Sequence, residues 1–292
     1  MDREARLAAQ AEESRKFFIE SCIKSDTPRL AAETYPDGLD VQSDIPYIDD
    51  GSTSHLLDIY TPGNAKTDEV FLLIHGGAFV YGAKELDKCF GMHLALRAGI
   101  PVVNINYRLM PDTDLQGQLQ DIFSAIAFVC KKGFRVFHTV GDSAGGYLCL
   151  FTAILLNNKE AREECGLSAF EVDDAVCRST SPICGAPFAK PDQFAGYFFD
   201  REGKMPSYIY NLADAVMKFG CPPIVLTTGD QDMMRRPNLL FYKKVRKTDI
   251  PVEYYCAEST EDRVMHHVYA IAHPTWPEGI RTIEMTIANM KK

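Results

Sequence analysis

Residues 141–146 read Gly141-Asp142-Ser143-Ala144-Gly145-Gly146. The pattern G-x-S-x-G is that of a nucleophile elbow, a sharp turn from a strand into a helix that pushes the serine oxygen outward. Glycines stand two before and two after the serine because a side chain there would clash in so tight a turn. The flanks agree with this reading. His138-Thr139-Val140 predicts a short buried strand, and residues 144–158 predict an apolar helix.

Outward from the elbow, strand and helix patterns alternate. Continuous apolar runs at 70–74 and 101–105 have the character of strands buried on both faces. Further strands are expected at 45–48, 55–60, 175–183, 223–227 and 252–256. Helices are expected at 84–98, at 117–132, ending at 243–247, and at 278–290. In the second of these, Leu119, Ile122, Ile126 and Val129 recur at helical spacing. Such alternation implies a mostly parallel sheet covered by helices on both faces. Residues 3–34 carry a helical pattern, with Thr27-Pro28 predicting a break into two short helices. The stretch 186–220 is too long for a simple crossover and holds Phe188, Phe194, Tyr197, Phe198, Phe199, Tyr208 and Tyr210. It reads either as a crossover with ordinary core aromatics or as part of a lid with an apolar acyl pocket. The expected division is an N-terminal helical cap segment over 1–44 and one catalytic domain over 45–292, with a cap insertion at about 186–220.

Composition excludes several classes. The 292 residues are 46% hydrophobic, enough for one large core. The net charge of -9 and the lack of a long basic run argue against nucleic acid as a partner. No apolar run approaches the roughly 18 residues of a membrane helix. The first residues, Met1-Asp2-Arg3-Glu4-Ala5-Arg6, lack the build of a signal peptide. The nine cysteines are odd in number and form no C-x-x-C pair. They read as small buried hydrophobes of a reducing compartment, so a cytoplasmic location without disulfides or a zinc site is expected. A homodimer is left open.

Two further segments fit acyl transfer. His75-Gly76-Gly77-Ala78-Phe79 follows the buried strand 70–74. Glycines there let backbone N–H groups approach the carbonyl oxygen on which negative charge develops, together with the N–H of Ala144 after the serine. A serine hydroxyl also needs a base to take its proton, and histidine suits the role near neutral pH. In a fold with such an elbow the order is serine, acid, histidine. Strand 223–227 runs into Gly229-Asp230-Gln231-Asp232, which makes Asp230 and Asp232 the candidate acids. After strand 252–256 come His266, His267 and His273, of which the first two are better placed to be the base.

With these segments in order, the chain resembles the hormone-sensitive-lipase-like branch of the α/β-hydrolase family over roughly residues 45–290. The matching stretches are His75-Gly76-Gly77-Ala78-Phe79, Tyr107-Arg108-Leu109-Met110-Pro111 and Gly141–Gly146. The resemblance implies an eight-stranded, mostly parallel sheet with a small helical cap, and a serine esterase that needs no cofactor or metal. It selects Asp232, on a G-x-x-D turn, and His267, in His267-Val268-Tyr269, as partners of Ser143. It maps the oxyanion donors to Gly77, Ala78 and Ala144. Departures are few. Ala78 replaces the third glycine, tolerable where its φ stays negative. Met110 replaces an alanine, Asp112 a glutamate, and Met233-Met234 a Pro-Leu, and the segment between Lys132 and the elbow is short. The expected function is hydrolysis of a small, short-acyl carboxylic ester. An acetyl esterase for acetylated sugars or xylan fragments, or an arylformamidase cleaving N-formylkynurenine, is the alternative. A non-catalytic binding protein is the remotest one.

Overall fold

The computed structural model describes residues 3–292 apart from 64, 66, 173 and 193. Met1 and Asp2, on which part of the N-terminal reading rests, lie outside the described residues. The chain builds an eight-stranded sheet from β1 (Leu39–Pro46), β2 (Leu56–Pro62), β3 (Glu69–Ile74), β4 (Val102–Ile105), β5 (Val136–Asp142), β6 (Val176–Ile183), β7 (Ile224–Gly229) and β8 (Val252–Ala257). The spatial order is β1-β2-β4-β3-β5-β6-β7-β8. Pairing is parallel from β4 through β8, while β2 runs the opposite way and pairs antiparallel with both β1 and β4.

The helices are α1 (Arg3–Ala32), α2 (Lys88–Ala98), α3 (Leu115–Lys131), α4 (Ser143–Asn157), α5 (Lys159–Glu164), α6 (Phe194–Tyr197), α7 (Leu212–Phe219), α8 (Arg235–Val245), α9 (Tyr269–Ala272) and α10 (Pro277–Asn289). The pleat of β3 explains why helices cover both faces. Val70, Leu72 and Ile74 join the core formed with Ile122 and Ile126 of α3 and Leu148 of α4. Phe71 and Leu73, pointing the other way, join Phe90 and Leu94 of α2 and Ile283 of α10. Each such fully buried side chain stabilises the fold by about 1.5–3 kcal/mol, so neither face tolerates water.

Two expectations are corrected here. α1 is one helix of 30 residues that runs through Pro28. A proline removes one N–H and crowds the carbonyl four residues back, but Pro28 lies in the last turns, where little helix remains to disrupt. Arg29 holds that end with bonds to Asp26 at 3.3 Å, Glu33 at 2.7 Å and the Leu86 carbonyl at 3.3 Å. The first strand covers Leu39–Pro46, not 45–48, and begins inside the stretch assigned to the cap segment. Leu39, Val41 and Ile45 alternate with Asp40, Gln42 and Asp44, but Ser43 interrupts the pattern and the residues are largely exposed, so the signal is weak.

The aromatic stretch 186–220 holds α6, a short 3-10 turn at Ser207–Tyr210 and α7. Phe18 of α1 meets Phe194 of α6 with ring centroids 5.6 Å apart, so these two segments pack on each other. Phe199 reaches inward to Phe79 at 4.8 Å and Tyr147 at 5.4 Å. No helix among the described residues is long and apolar enough to cross a membrane.

Candidate active site

Four strands deliver the site at their carboxyl ends. The order reverses at β3, which lies between β4 and β5, and open parallel sheets bind ligands in the crevice at such a point. Ser143 follows β5 directly and opens α4 with φ of 51°, the strained turn an elbow requires. The space around it is closed. A Cβ on Gly145 would fall 1.9 Å from the Ile74 carbonyl oxygen, and one on Gly141 2.5 Å from the same atom. The glycines thus bring the elbow into contact with the end of β3, where the next functional segment begins.

That segment is the loop 75–79. Val80 and Tyr81 both donate their amides to the Gly77 carbonyl, at 3.1 and 3.0 Å, which winds the loop into a tight turn. Gly77 has φ of 104°, and a Cβ on it would meet the Tyr81 carbonyl oxygen at 2.0 Å. Ala78 and Phe79 follow with φ of 52° and 67°. The condition of a negative φ at Ala78 is therefore not met. The turn forces the left-handed region on a residue with a Cβ, at a cost of roughly 1–2 kcal/mol. Neighbours hold the strained loop in place. The Tyr107 hydroxyl donates to the His75 carbonyl at 2.8 Å, and its ring stacks on the His75 imidazole 4.4 Å away. The Met110 amide and the Gln118 side-chain amide both donate to the Phe79 carbonyl, at 2.9 and 3.0 Å. Burial lowers the His75 pKa to about 4, so this ring is neutral, and its Nδ1 pairs with the Gly76 carbonyl at 2.8 Å.

The candidate base and acid complete a chain of hydrogen bonds with Ser143. His267 Nε2 lies 2.9 Å from Ser143 Oγ, and His267 Nδ1 lies 2.7 Å from Asp232 Oδ1. Asp232 also accepts the Thr228 hydroxyl and the Met234 amide. Burial works against the Asp232 carboxylate. The hydrogen bond and charge of His267, with the other two donors, outweigh it and hold the pKa below the ordinary carboxylate value. An anionic partner on Nδ1 keeps the proton there and leaves Nε2 free to accept one from the serine.

The open alternatives now separate. Asp230 accepts the Ser259 hydroxyl, and Ser259 in turn accepts the Met265 amide at 2.9 Å. Asp230 thus ties the acid turn to the loop that carries His267 without touching the histidine. His266 is exposed, and His273 stacks on Trp276 at 3.8 Å. Sequence reasoning missed Thr228, Gln118 and the clamp formed by Tyr107. Thr228 and Gln118 carry no motif, and the Tyr107-Arg108-Leu109-Met110-Pro111 stretch does not reveal the clamp. As for metal ligands, Cys184, Asp232 and His267 have ligand atoms within 4.8 Å of one another. The histidine and aspartate already spend those atoms on each other and on Ser143.

Fold and site together define a class. Residues 71–267 match a family profile described as the alpha/beta hydrolase fold, and the chain belongs to that family. Among individual proteins, it is 26% identical over 219 residues to the ethyl acetate hydrolase of Pseudomonas putida, covering 68% of this chain and 64% of that one. It is 21% identical over 241 residues to the acetyl esterase of Salmonella schwarzengrund, covering 76% and 74%. The first two curated relatives are spanned over only 64% and 57% of their length. Esterase B of Lactobacillus rhamnosis superposes with a TM-score of 0.83 at 23% identity, over 100% of this chain and 97% of that one. An esterase from the bacterial hormone-sensitive lipase family does so with 0.71 at 16%, over 96% and 91%. At these identities the structural likeness speaks for the fold.

Proposed function

We propose that the protein is a serine carboxylesterase that hydrolyses small, short-acyl esters through an acyl-enzyme on Ser143. The observation that carries this reading is the unbroken chain Ser143 Oγ–His267 Nε2 and His267 Nδ1–Asp232 Oδ1, at 2.9 and 2.7 Å. In the proposed cycle Ser143 Oγ attacks the ester carbonyl while His267 Nε2 takes its proton. Asp232 orients the ring and stabilises its charged form. The carbonyl oxygen becomes an oxyanion held by the N–H groups of Gly77, Ala78 and Ala144. The Ala144 amide is suited to this because the first amides of a helix have no partner within it. His267 then protonates the leaving alcohol. Water, deprotonated by the same ring, attacks the acyl-enzyme, and Ser143 recovers its proton as the acid leaves.

The short-acyl reading is supported by the rigid rings of Phe79, Tyr147, Phe199 and Tyr210 packed beside the oxyanion loop. Two relatives, an ethyl acetate hydrolase and an acetyl esterase, point the same way by name. A panel of p-nitrophenyl esters from acetate to decanoate tests it, with acetylated sugars and N-formylkynurenine alongside. Highest kcat/KM at acetate to butyrate is expected, with all turnover lost in Ser143→Ala. Unchanged turnover in that variant, or a maximum at decanoate, would contradict the reading. A maximum on the sugars or the formamide would transfer it to that substrate.

A further inference from the structure

Two aspartates stand at helix N-caps and cap nothing. Asp87 is the N-cap of α2 and Asp142 the N-cap of α4, and neither side chain bonds to its own helix. Aspartate is favoured at this position because its oxygen takes up a free amide of the first turn, so both departures need a cause. Each residue is almost wholly buried, Asp87 with 1% and Asp142 with 6% of its surface exposed. The two side chains are instead each other's interaction partners. Asp87 Oδ2 and Asp142 Oδ1 are buried and receive no hydrogen bond from another described residue. Two carboxylates cannot lie in contact away from water, but one proton between them turns repulsion into a bond.

The surroundings disfavour a second charge on the pair. Burial and the Asp142 charge push Asp87 well above the ordinary carboxylate range. Burial also raises Asp142, while the bond from Asp87 and the charge of His267 draw it back. The pair as a whole therefore holds one proton and one negative charge, placed where two helix N-termini favour a single charge. Arg29 of α1 and Glu33, just past its end, face Asp87. Tyr107, Cys149 and Cys184 also face the pair, and burial raises each of them, which keeps them protonated. Asp142 in turn lies against the oxyanion loop. A Cβ on Gly76 would fall 2.4 Å from Asp142 Oδ2, so the carboxylate packs directly against the Gly76 backbone.

We infer that Asp87 and Asp142 share one proton beneath the nucleophile elbow, and that Asp87 is thereby a positioning residue. It holds Asp142 against Gly76, so that the loop 75–79 keeps its place beside Ser143. The kinetic consequence rests on the esterase reading above, whereas the shared proton does not.

The test uses the full chain with Asp87→Asn and Asp87→Ala. Asparagine keeps the shape and a donor but has no proton to lose. Native wild type holds one proton that the unfolded chain releases above about pH 4. Urea unfolding from pH 5 to 8 should then show the wild-type unfolding constant rising about tenfold per pH unit relative to Asp87→Asn, up to the native pKa of the pair. Parallel curves would overturn the shared proton. With p-nitrophenyl acetate, Asp87→Ala should lose at least about tenfold in kcat with little change in KM, and Asp87→Asn should recover to within about threefold of wild type. A folded Asp87→Ala variant with wild-type kcat, or an Asn variant no better than Ala, would overturn the positioning role. Failure of the esterase reading looks different. Wild type itself would then leave the ester intact and take no fluorophosphonate label, while the unfolding curves still report on the proton.

Discussion

Replacing Gly145 by alanine should separate the elbow from the oxyanion loop. The added Cβ would sit 1.9 Å from the Ile74 carbonyl oxygen and 2.6 Å from that of His75. Ordinary contact begins at 3.4 Å, so one side must retreat by about 1.5 Å. Neither side is a flexible side chain. Ile74 ends β3 and is paired with Ile105 of β4 and Gly141 of β5, and His75 opens the loop 75–79. Overpacking of a close-packed region costs typically 1–3 kcal/mol, and more where only backbone can move, so a loss of about 3 kcal/mol is expected. A displacement near 1 Å between reacting groups costs on the order of 100-fold in rate. Thermal unfolding and p-nitrophenyl acetate turnover would measure both. Gly99→Ala is the control. Gly99, unlike the helical Gly145, has positive φ, and nothing lies within 4 Å of a Cβ there. It should lose only the roughly 1–2 kcal/mol of left-handed strain and keep wild-type kcat. Wild-type stability and kcat in Gly145→Ala would refute the claim that this contact sets the spacing of serine and loop.

Three more outcomes follow from the site. Ala78→Gly should stabilise the protein by up to about 1 kcal/mol in urea unfolding, because relief of left-handed strain exceeds the entropic cost of glycine. Tyr107→Phe leaves the buried His75 carbonyl without its donor. It should cost about 1–3 kcal/mol of stability and lower kcat more than it raises KM. Asp232→Asn should lower kcat by about 1,000–10,000-fold, since an amide no longer holds the histidine tautomer. The depressed pKa of Asp232 also contributes stability that is present above about pH 4 and lost as pH falls through the lower native value. The stability gap between wild type and Asp232→Asn, followed by acid titration of unfolding, should therefore close on the acid side.

What was legible in the sequence is what a local pattern can carry. The run Val70–Ile74 is apolar at every position because the strand is buried on both faces, and that alone places β3. Gly141, Gly145 and Ser143 mark the elbow because no other residue types fit it. The exposed residues of β1 left only a weak trace, and Pro28 advertised a break that tertiary contacts through Arg29 and Phe18 override. The φ of Ala78 was hidden because it is imposed by two amides converging on Gly77, which no composition rule encodes. Asp87 was hidden for a related reason. It falls inside the helix expected over 84–98, among Lys84, Glu85 and Lys88, with nothing local to single it out, and only the fold brings Asp142 to it. Choosing Asp232 over Asp230 and His267 over His266 needed either family likeness or geometry, since both members of each pair sit on the right loop.

The central claim is that Ser143 is an activated nucleophile. Treatment with a fluorophosphonate, followed by intact mass and peptide mapping, tests it directly. A single adduct on Ser143, absent in Ser143→Ala and formed far more slowly in His267→Ala, is the predicted result. No adduct, or an adduct on another residue while Ser143 stays unmodified, would contradict the account.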